Sequence, residues 1–505
     1  MNIYLLFALA LIPIIFLIVS LGVYNRPAYK AGIWSVIIAS VLALVVFDMT
    51  PFGIFTAILE GAALAIWPIM IVIVAAIFTY NLAQHTKSMD IINKMLSSIS
   101  TDKRIQVLIL AWGFGGFLEA VAGYGTAVAL PASILAALGF NPLFAAVISL
   151  IANTVPTAFG AVGIPVSTLA QVTGLEVTTL SYTIVLQLTL FIIVIPFLLV
   201  MMTGGSWKSL KGVTGITLAS GIAFALPQIF VAKYLGAELP ALVGSLASMA
   251  VTIGMALIFH KDKKAKTKEV VTASEGFKAW LPYLLILIFI LITSPLFPPI
   301  YEFVSHIKTS VTIYQGPGAA VTTFKWVGTP GVLIILAALI GSLVQGATLK
   351  EIAAVFVKTL KQLTKSAVTV IAIVSLAKIM GYSGMIVSIA TVLVMVTGSF
   401  YPFFAPMLGT LGTFVTGSDT SSNILFGPLQ IEVAESIGVD PYWLAAANTS
   451  GATGGKMISP QSIAVATSAT GLIGQEGTIF KSTVKFCLGY VVVLGILVYV
   501  GSLFI

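Results

Sequence analysis

Two acids, Glu119 and Asp419, stand about 300 residues apart in stretches that are otherwise apolar and rich in glycine, and Lys456 follows the second behind Gly454–Gly455. An ionisable side chain at hydrocarbon depth is costly and marks function, so both carboxyl groups are candidate proton carriers. Lys456 falls midway along an apolar run, too deep to reach the interface with its stem. It either holds a substrate carboxylate or neutralises Asp419. The competing structural readings are an acid that caps a hairpin helix or its bend, and a lysine held in a plain ion pair. Around these charges lie uncharged donors: Thr126, Asn153 and Thr154 in the first half, and Ser421, Ser422, Asn423, Asn448 and Thr449 in the second. With the loop Gly123–Tyr124–Gly125 they suit an anion that carries a hydroxyl group. At the offset that pairs Asn153 with Asn448, Lys456 falls on Ala161, so the candidate site is asymmetric, as a chemically asymmetric substrate requires.

Other chemistries find no residues. His85, His260 and His306 fall in predicted loops at no metal-ligand spacing, so no metal or cofactor is expected. No phosphate-binding loop, dinucleotide fingerprint or zinc-protease motif occurs. An intramembrane hydrolase would need a nucleophile and a base, for example Ser421 with Asp419, and no base joins that pair at a recognisable spacing. The reading is therefore not an enzyme. The single cysteine, Cys487, excludes an intramolecular disulfide.

The elements that must position these residues are membrane spans. Of 505 residues 59% are hydrophobic and only 8% charged, with mean hydropathy +1.10, far from a soluble domain. The net charge of +8 resides in lysines of short inter-helix loops, a positive-inside pattern rather than a nucleic-acid surface. Apolar runs predict spans near 3–22, 31–48, 62–82, 181–202, 213–232, 240–259, 280–296, 329–346, 366–382 and 482–503. Residues 3–22 read as a retained first helix rather than a cleaved leader. Two longer runs, 143–172 and 441–473, are interrupted by Gly and Pro and read as half-helices with an unwound middle. Stretches 105–138 and 402–437 fit re-entrant helical hairpins. Glu60 starts a predicted span and faces water, and Lys378 snorkels from a span end. Loops bearing lysine, including 261–270 and the run from Lys350 to Lys365, are assigned to the cytoplasm. Both termini and the loop 297–328 are then external.

The halves repeat. Gly139 and Pro142 recur at an offset of 299, Pro131 at 297 and Asn153 at 295. An odd number of spans separates equivalent elements, so the second copy is inverted. The expected organisation is a first repeat over 1–212, a connecting helix pair with basic linker over 213–279, and a second repeat over 280–505. The fold class is an all-α polytopic membrane protein of about twelve helices in two inverted repeats, each with a hairpin and a broken helix. Freed amides at half-helix N-termini make a ready carboxylate site. Small-residue packing between helices is the alternative use of such glycines.

The strings FLEAVAGYG (117–125), ANTVPTAFGAVGIP (152–165), GTFVTGSDTSSNILFG (412–427) and ANTSGATGGKMISPQSIAVA (447–466) resemble the bacterial L-lactate permease family. Where that family commonly reads FLEGAAGFGAP, this chain has Ala120, Val121, Tyr124, Thr126 and Ala127; the acid and both loop glycines remain. The resemblance implies proton-coupled uptake of L-lactate, with D-lactate or glycolate, across the cytoplasmic membrane. On that reading Gly123 to Thr126, Asn153, Thr154, Ser421 to Asn423, Asn448, Thr449 and Lys456 bind substrate, and Glu119 and Asp419 carry protons. A sodium-coupled carboxylate transporter of the same architecture is the alternative.

Overall fold

The computed structural model describes residues 2–22, 24, 26–123, 125–259, 271–294, 296–472 and 475–505. Tyr124, His260 and the basic run 261–270 lie outside the described residues. The described residues are almost wholly helical, and twelve helices among them are long and apolar enough to cross a membrane. Their outward faces keep large apolar residues such as Leu226 and Phe230 exposed, as a lipid-facing surface requires.

Each half carries the same series of elements. A long interrupted helix, Pro51–His85, is followed by the short helix Ser88–Ser97, then by Lys103–Val121 and Thr126–Ala137. The second half has Leu349–Tyr382, Met385–Thr397, then Tyr401–Thr416 turning into Asp419–Ile437. The chain reverses after each pair by the same local chemistry. Gly139 and Gly438 take positive φ of 83° and 71°, which glycine adopts without a Cβ clash. Asn141 and Asp440 then cap helices that start at Pro142 and Pro441, accepting from the amides of Leu143 and Tyr442. The helices so begun are both interrupted. Pro142–Ala152 gives way to a short 3-10 turn, Val155–Phe159, before Gly160–Thr173, and Pro441–Lys456 stops before Pro460–Thr470. Val177–Gly204 and Glu476–Gly501 follow.

Two packed groups result. Ala28–Val45, Pro51–His85, Ala273–Ile292, Pro330–Val344 and Leu349–Tyr382 pack on one another, while the paired and interrupted helices pack with Val177–Gly204, Thr214–Leu235 and Pro240–Phe259. Glycines set the closest crossings. A Cβ on Gly61 would lie 2.5 Å from the Ser375 Cα, and one on Gly451 would lie 1.9 Å from the Pro406 carbonyl oxygen.

Several expectations need correction. The helix bearing Lys350, Lys358, Lys361 and Lys365 starts at Leu349, closed by a Thr348–Glu351 capping box, so these lysines lie on a helical extension rather than a loop. Met385–Thr397 is a helix that the sequence reading leaves unassigned. The 297–328 segment holds a helix, Pro298–His306, and an antiparallel ribbon of Lys308–Val311 with Thr322–Lys325. His85 and His306 close helices rather than occupying loops.

Glu60 and Lys378 differ most. Thr50 caps a helix that begins at Pro51, well before the predicted span start, which places Glu60 about two and a half turns inside it. Glu60 is 2% exposed and forms an ion pair with Lys378 at 2.6 Å. Tyr382 donates its hydroxyl to the same carboxylate at 2.9 Å, and the Tyr314 amide donates at 3.2 Å. Tyr314 thus reaches from the ribbon segment into the protein, stacked on Tyr382 with ring centres 3.7 Å apart.

Candidate functional site

The two helix-to-helix turns and the two interruptions converge on one cavity of about 80 Å³. At about 30 Å³ of liquid volume per water it has room for two or three waters or a small organic ligand. The first turn supplies Glu119, Gly123 and Gly125; the second supplies Gly417, Ser418, Asp419 and Thr420. The interruptions add Gly160, Ala161 and Lys456. Backbone conformation opens the space. Ala161 and Val162 stand at φ 44° and 58°, a left-handed conformation costly for residues with a Cβ and concentrated at functional positions. Gly160 lets the Glu119 carboxyl approach, since a Cβ there would lie 2.6 Å from Oε1.

The charges are arranged asymmetrically. Lys456 is the last residue of its half-helix, Asp419 the first of its own, and each complements the helix dipole at that end. Glu119 lies instead in the last turn of Lys103–Val121, where its own helix end is negative. Lys456 Nζ donates to the Gly417 carbonyl at 3.0 Å. Among the described residues neither acid reaches Lys456 as a direct ion pair. Both acids are 2% exposed, and among the described residues Glu119 Oε2 and both Asp419 oxygens make no hydrogen bond of good geometry. A buried acceptor left unpaired costs about 1–3 kcal/mol, more when charged. A proton, a cation or a ligand donor removes that cost.

Three helices, Thr126–Ala137, Asp419–Ile437 and Pro460–Thr470, begin close to the cavity and turn their N-terminal ends toward it. Their first-turn amides lack intrahelical acceptors. Ser418 and Ser459 each satisfy one such amide, that of Ser421 and that of Ser462, and the Gly123 and Gly125 carbonyls accept from the amides of Thr126 and Val128.

The other polar residues singled out from sequence stand behind this cavity. Asn423 Nδ2 donates to the Pro165 carbonyl at 3.0 Å, and its Oδ1 accepts from Asn448 Nδ2 and Thr449 Oγ1, both at 3.0 Å. Ser422 Oγ donates to the Gly409 carbonyl at 2.8 Å. The cluster ties the second hairpin to both interrupted helices. Ser421 gives its amide to the Ser418 cap, Thr126 its hydroxyl to the Gly123 carbonyl, and Thr154 its hydroxyl to the Leu150 carbonyl. Asn153 is buried beside Glu119, close enough for a weak side-chain interaction with it, and among the described residues makes no hydrogen bond of good geometry. The cavity wall also includes Thr157, Gln461 and Ser462, which sequence reasoning did not single out. Gln461 follows the Ser459–Pro460 helix start, and that cap-and-proline pair was the signal available.

A family model described as L-lactate permease matches residues 6–504. The chain is 53% identical to an L-lactate permease of Streptococcus iniae over 87% of this chain and 93% of that one. It is 37% identical to the glycolate permease GlcA of Escherichia coli (strain K12) over 97% of this chain and 94% of that one. Its fold is similar to the Alcanivorax borkumensis YdaH transporter, with a TM-score of 0.55 and 15% identity over 94% of this chain and 98% of that one. Neisseria gonorrhoeae MtrF, described among antimetabolite efflux pumps, gives a TM-score of 0.53 at 12% identity over 95% of this chain and 96% of that one. At those identities the likeness to the solved structures is one of fold.

Proposed function

The chain belongs to the L-lactate permease family, a multi-pass protein of the bacterial cytoplasmic membrane, and from that premise we propose that it couples uptake of L-lactate and related short 2-hydroxymonocarboxylates to protons. The observation that carries this reading is the set of two unpaired acids and one lysine around a single small cavity. The relatives named for lactate and glycolate set the substrate class.

The coupling follows from charge. A carboxylate entering the cavity adds one negative charge in a water-poor space, and one proton on an acid cancels it. Glu119 is the acid that takes up that proton, because as an anion it faces the negative end of its own helix. Asp419, at the positive end of its helix with Lys456 near it, is the acid assigned to keep its charge. The carboxylate is held by Lys456 and by first-turn amides at the starts of Asp419–Ile437 and Pro460–Thr470. Loaded and empty sites then carry the same net charge, which corresponds to one proton per lactate and transport that responds to the pH gradient. The broken helices, matched in the two halves, belong to an inverted-repeat organisation that exposes the site to either side in turn.

Uptake of labelled L-lactate into proteoliposomes, with an imposed pH gradient and with or without sodium, tests the reading. Accumulation that requires the proton gradient and ignores sodium is the expected result. Accumulation that tracks sodium at fixed pH would replace the proton by a cation held at Asp419 and the unwound carbonyls.

A further inference from the structure

Two larger cavities, of about 270 and 600 Å³, lie at the end of the molecule opposite the lysine-rich loops. They share Gln171, Glu238 and Lys325 in their walls, so they form one vestibule. Its inner end meets the central cavity at Ile164, which lines both. From there Ser167, Thr168 and Gln171 follow at helical spacing along the outer arm Gly160–Thr173. Residues three, four and seven positions apart share one face. A polar stripe therefore runs from the site to the mouth on a helix whose other buried residues are apolar or glycine. Opposite it, exposed Lys325 ends a strand that the Trp67 indole holds by donating to the Lys325 carbonyl at 3.0 Å.

We infer that this stripe is the outer entry route of the carboxylate substrate, with Lys325 at its mouth as the residue that captures the anion. This rests on the proposed carboxylate transport. The same walls hold Glu238 and Glu176, and Lys325 offsets these acids, which would otherwise repel an anion from low-dielectric walls. Hydroxyl and amide groups along the stripe replace water around the carboxylate, and Ile164 is the apolar step before the charged site.

Cysteine accessibility tests the route without depending on transport. Cys487, the single cysteine, is 1% exposed, so the parent chain serves as the blank. Ser167→Cys and Gln171→Cys are treated from outside with a membrane-impermeant, negatively charged thiosulfonate, with Ala319→Cys on the exposed ribbon turn as the surface control. The expected result is modification of both stripe cysteines, slowed by L-lactate at Ser167→Cys and accompanied by loss of uptake. Reaction at Ala319→Cys with both stripe cysteines inert would overturn the route, as would their full modification with uptake unchanged. Modification from outside that L-lactate does not slow, in a protein that fails to transport lactate, would leave the route and remove the substrate assignment. Lys325→Gln is expected to raise KM about fivefold with little change in maximal rate and to flatten its dependence on ionic strength. An unchanged KM at low salt would remove Lys325 from the route.

Discussion

Lys456, at the end of one half-helix, gives its ammonium to the backbone carbonyl of Gly417 in the turn of the second hairpin, at 3.0 Å. A carboxylate that takes Lys456 as its partner must compete with that carbonyl. Occupancy of the site is thereby linked to the tether that holds the hairpin turn against the broken helix. Gln461 packs on the same turn, leaving no room for a side chain at Gly417.

Replacing Lys456 by Gln removes a charged hydrogen-bond donor from the proposed carboxylate site. Such a bond is worth about 1.5–3 kcal/mol, so the KM for L-lactate should rise roughly 10- to 150-fold. Lys456→Arg should recover part of the loss. Binding of labelled lactate to purified protein checks this, and unchanged affinity in Lys456→Gln would take the lysine out of the site.

The two acids should separate in their effects. Glu119→Gln is expected to abolish accumulation driven by a pH gradient while sparing exchange of internal for external lactate, which needs no net proton movement. Asp419→Asn should keep a pH-dependent component of uptake. If instead Asp419→Asn alone loses the pH drive, the roles are reversed.

Glu60 and Lys378 form an ion pair outside the site, the carboxylate buried and the lysine partly exposed. Lys378→Met leaves a buried carboxylate and should cost about 3–5 kcal/mol, seen as a drop in thermal midpoint in detergent, with Glu60→Gln costing less because Lys378 reaches solvent. The double variant should recover most of it. A double variant no more stable than either single change would mean the two residues do not act as a pair.

Close helix crossings predict opposite outcomes for two glycines. Gly451→Val places carbon on the Pro406 carbonyl oxygen, already 1.9 Å from a Cβ position, and should leave little folded protein. Gly254, in Pro240–Phe259, has no atom within 4 Å of a Cβ. Gly254→Ala should raise stability by about 0.5–1 kcal/mol. Size-exclusion profiles and thermal midpoints read both.

Glu176 caps Val177–Gly204, accepting from the amides of Thr178 at 2.8 Å and Thr179 at 2.6 Å. Burial pushes this carboxyl up, but the Thr179 and Thr178 amides outweigh it and hold it below its usual 4.5. The cap's contribution is therefore complete above that usual value and disappears as the pH falls through the lower folded value. Glu176→Gln should be less stable than the parent at neutral pH, with the gap closing in acid. A gap independent of pH would show that the carboxylate charge is not what the cap uses.

The membrane class, the paired broken segments and the charged residues were all readable in one dimension. Hydropathy reports burial in lipid directly, and the Gly–Phe–Asn–Pro and Gly–Val–Asp–Pro starts recur because two helices need the same left-handed turn and cap. Which polar residues face ligand was not readable. Asn423, Asn448 and Thr449 have the same chemistry as a binding residue, yet they spend it on one another and on the Pro165 carbonyl. Glu60 and Lys378 sit far apart in sequence, and only the crossing of Pro51–His85 with Leu349–Tyr382 makes them partners. A side chain's type fixes the bonds it can make; which of them it makes depends on neighbours brought from hundreds of residues away.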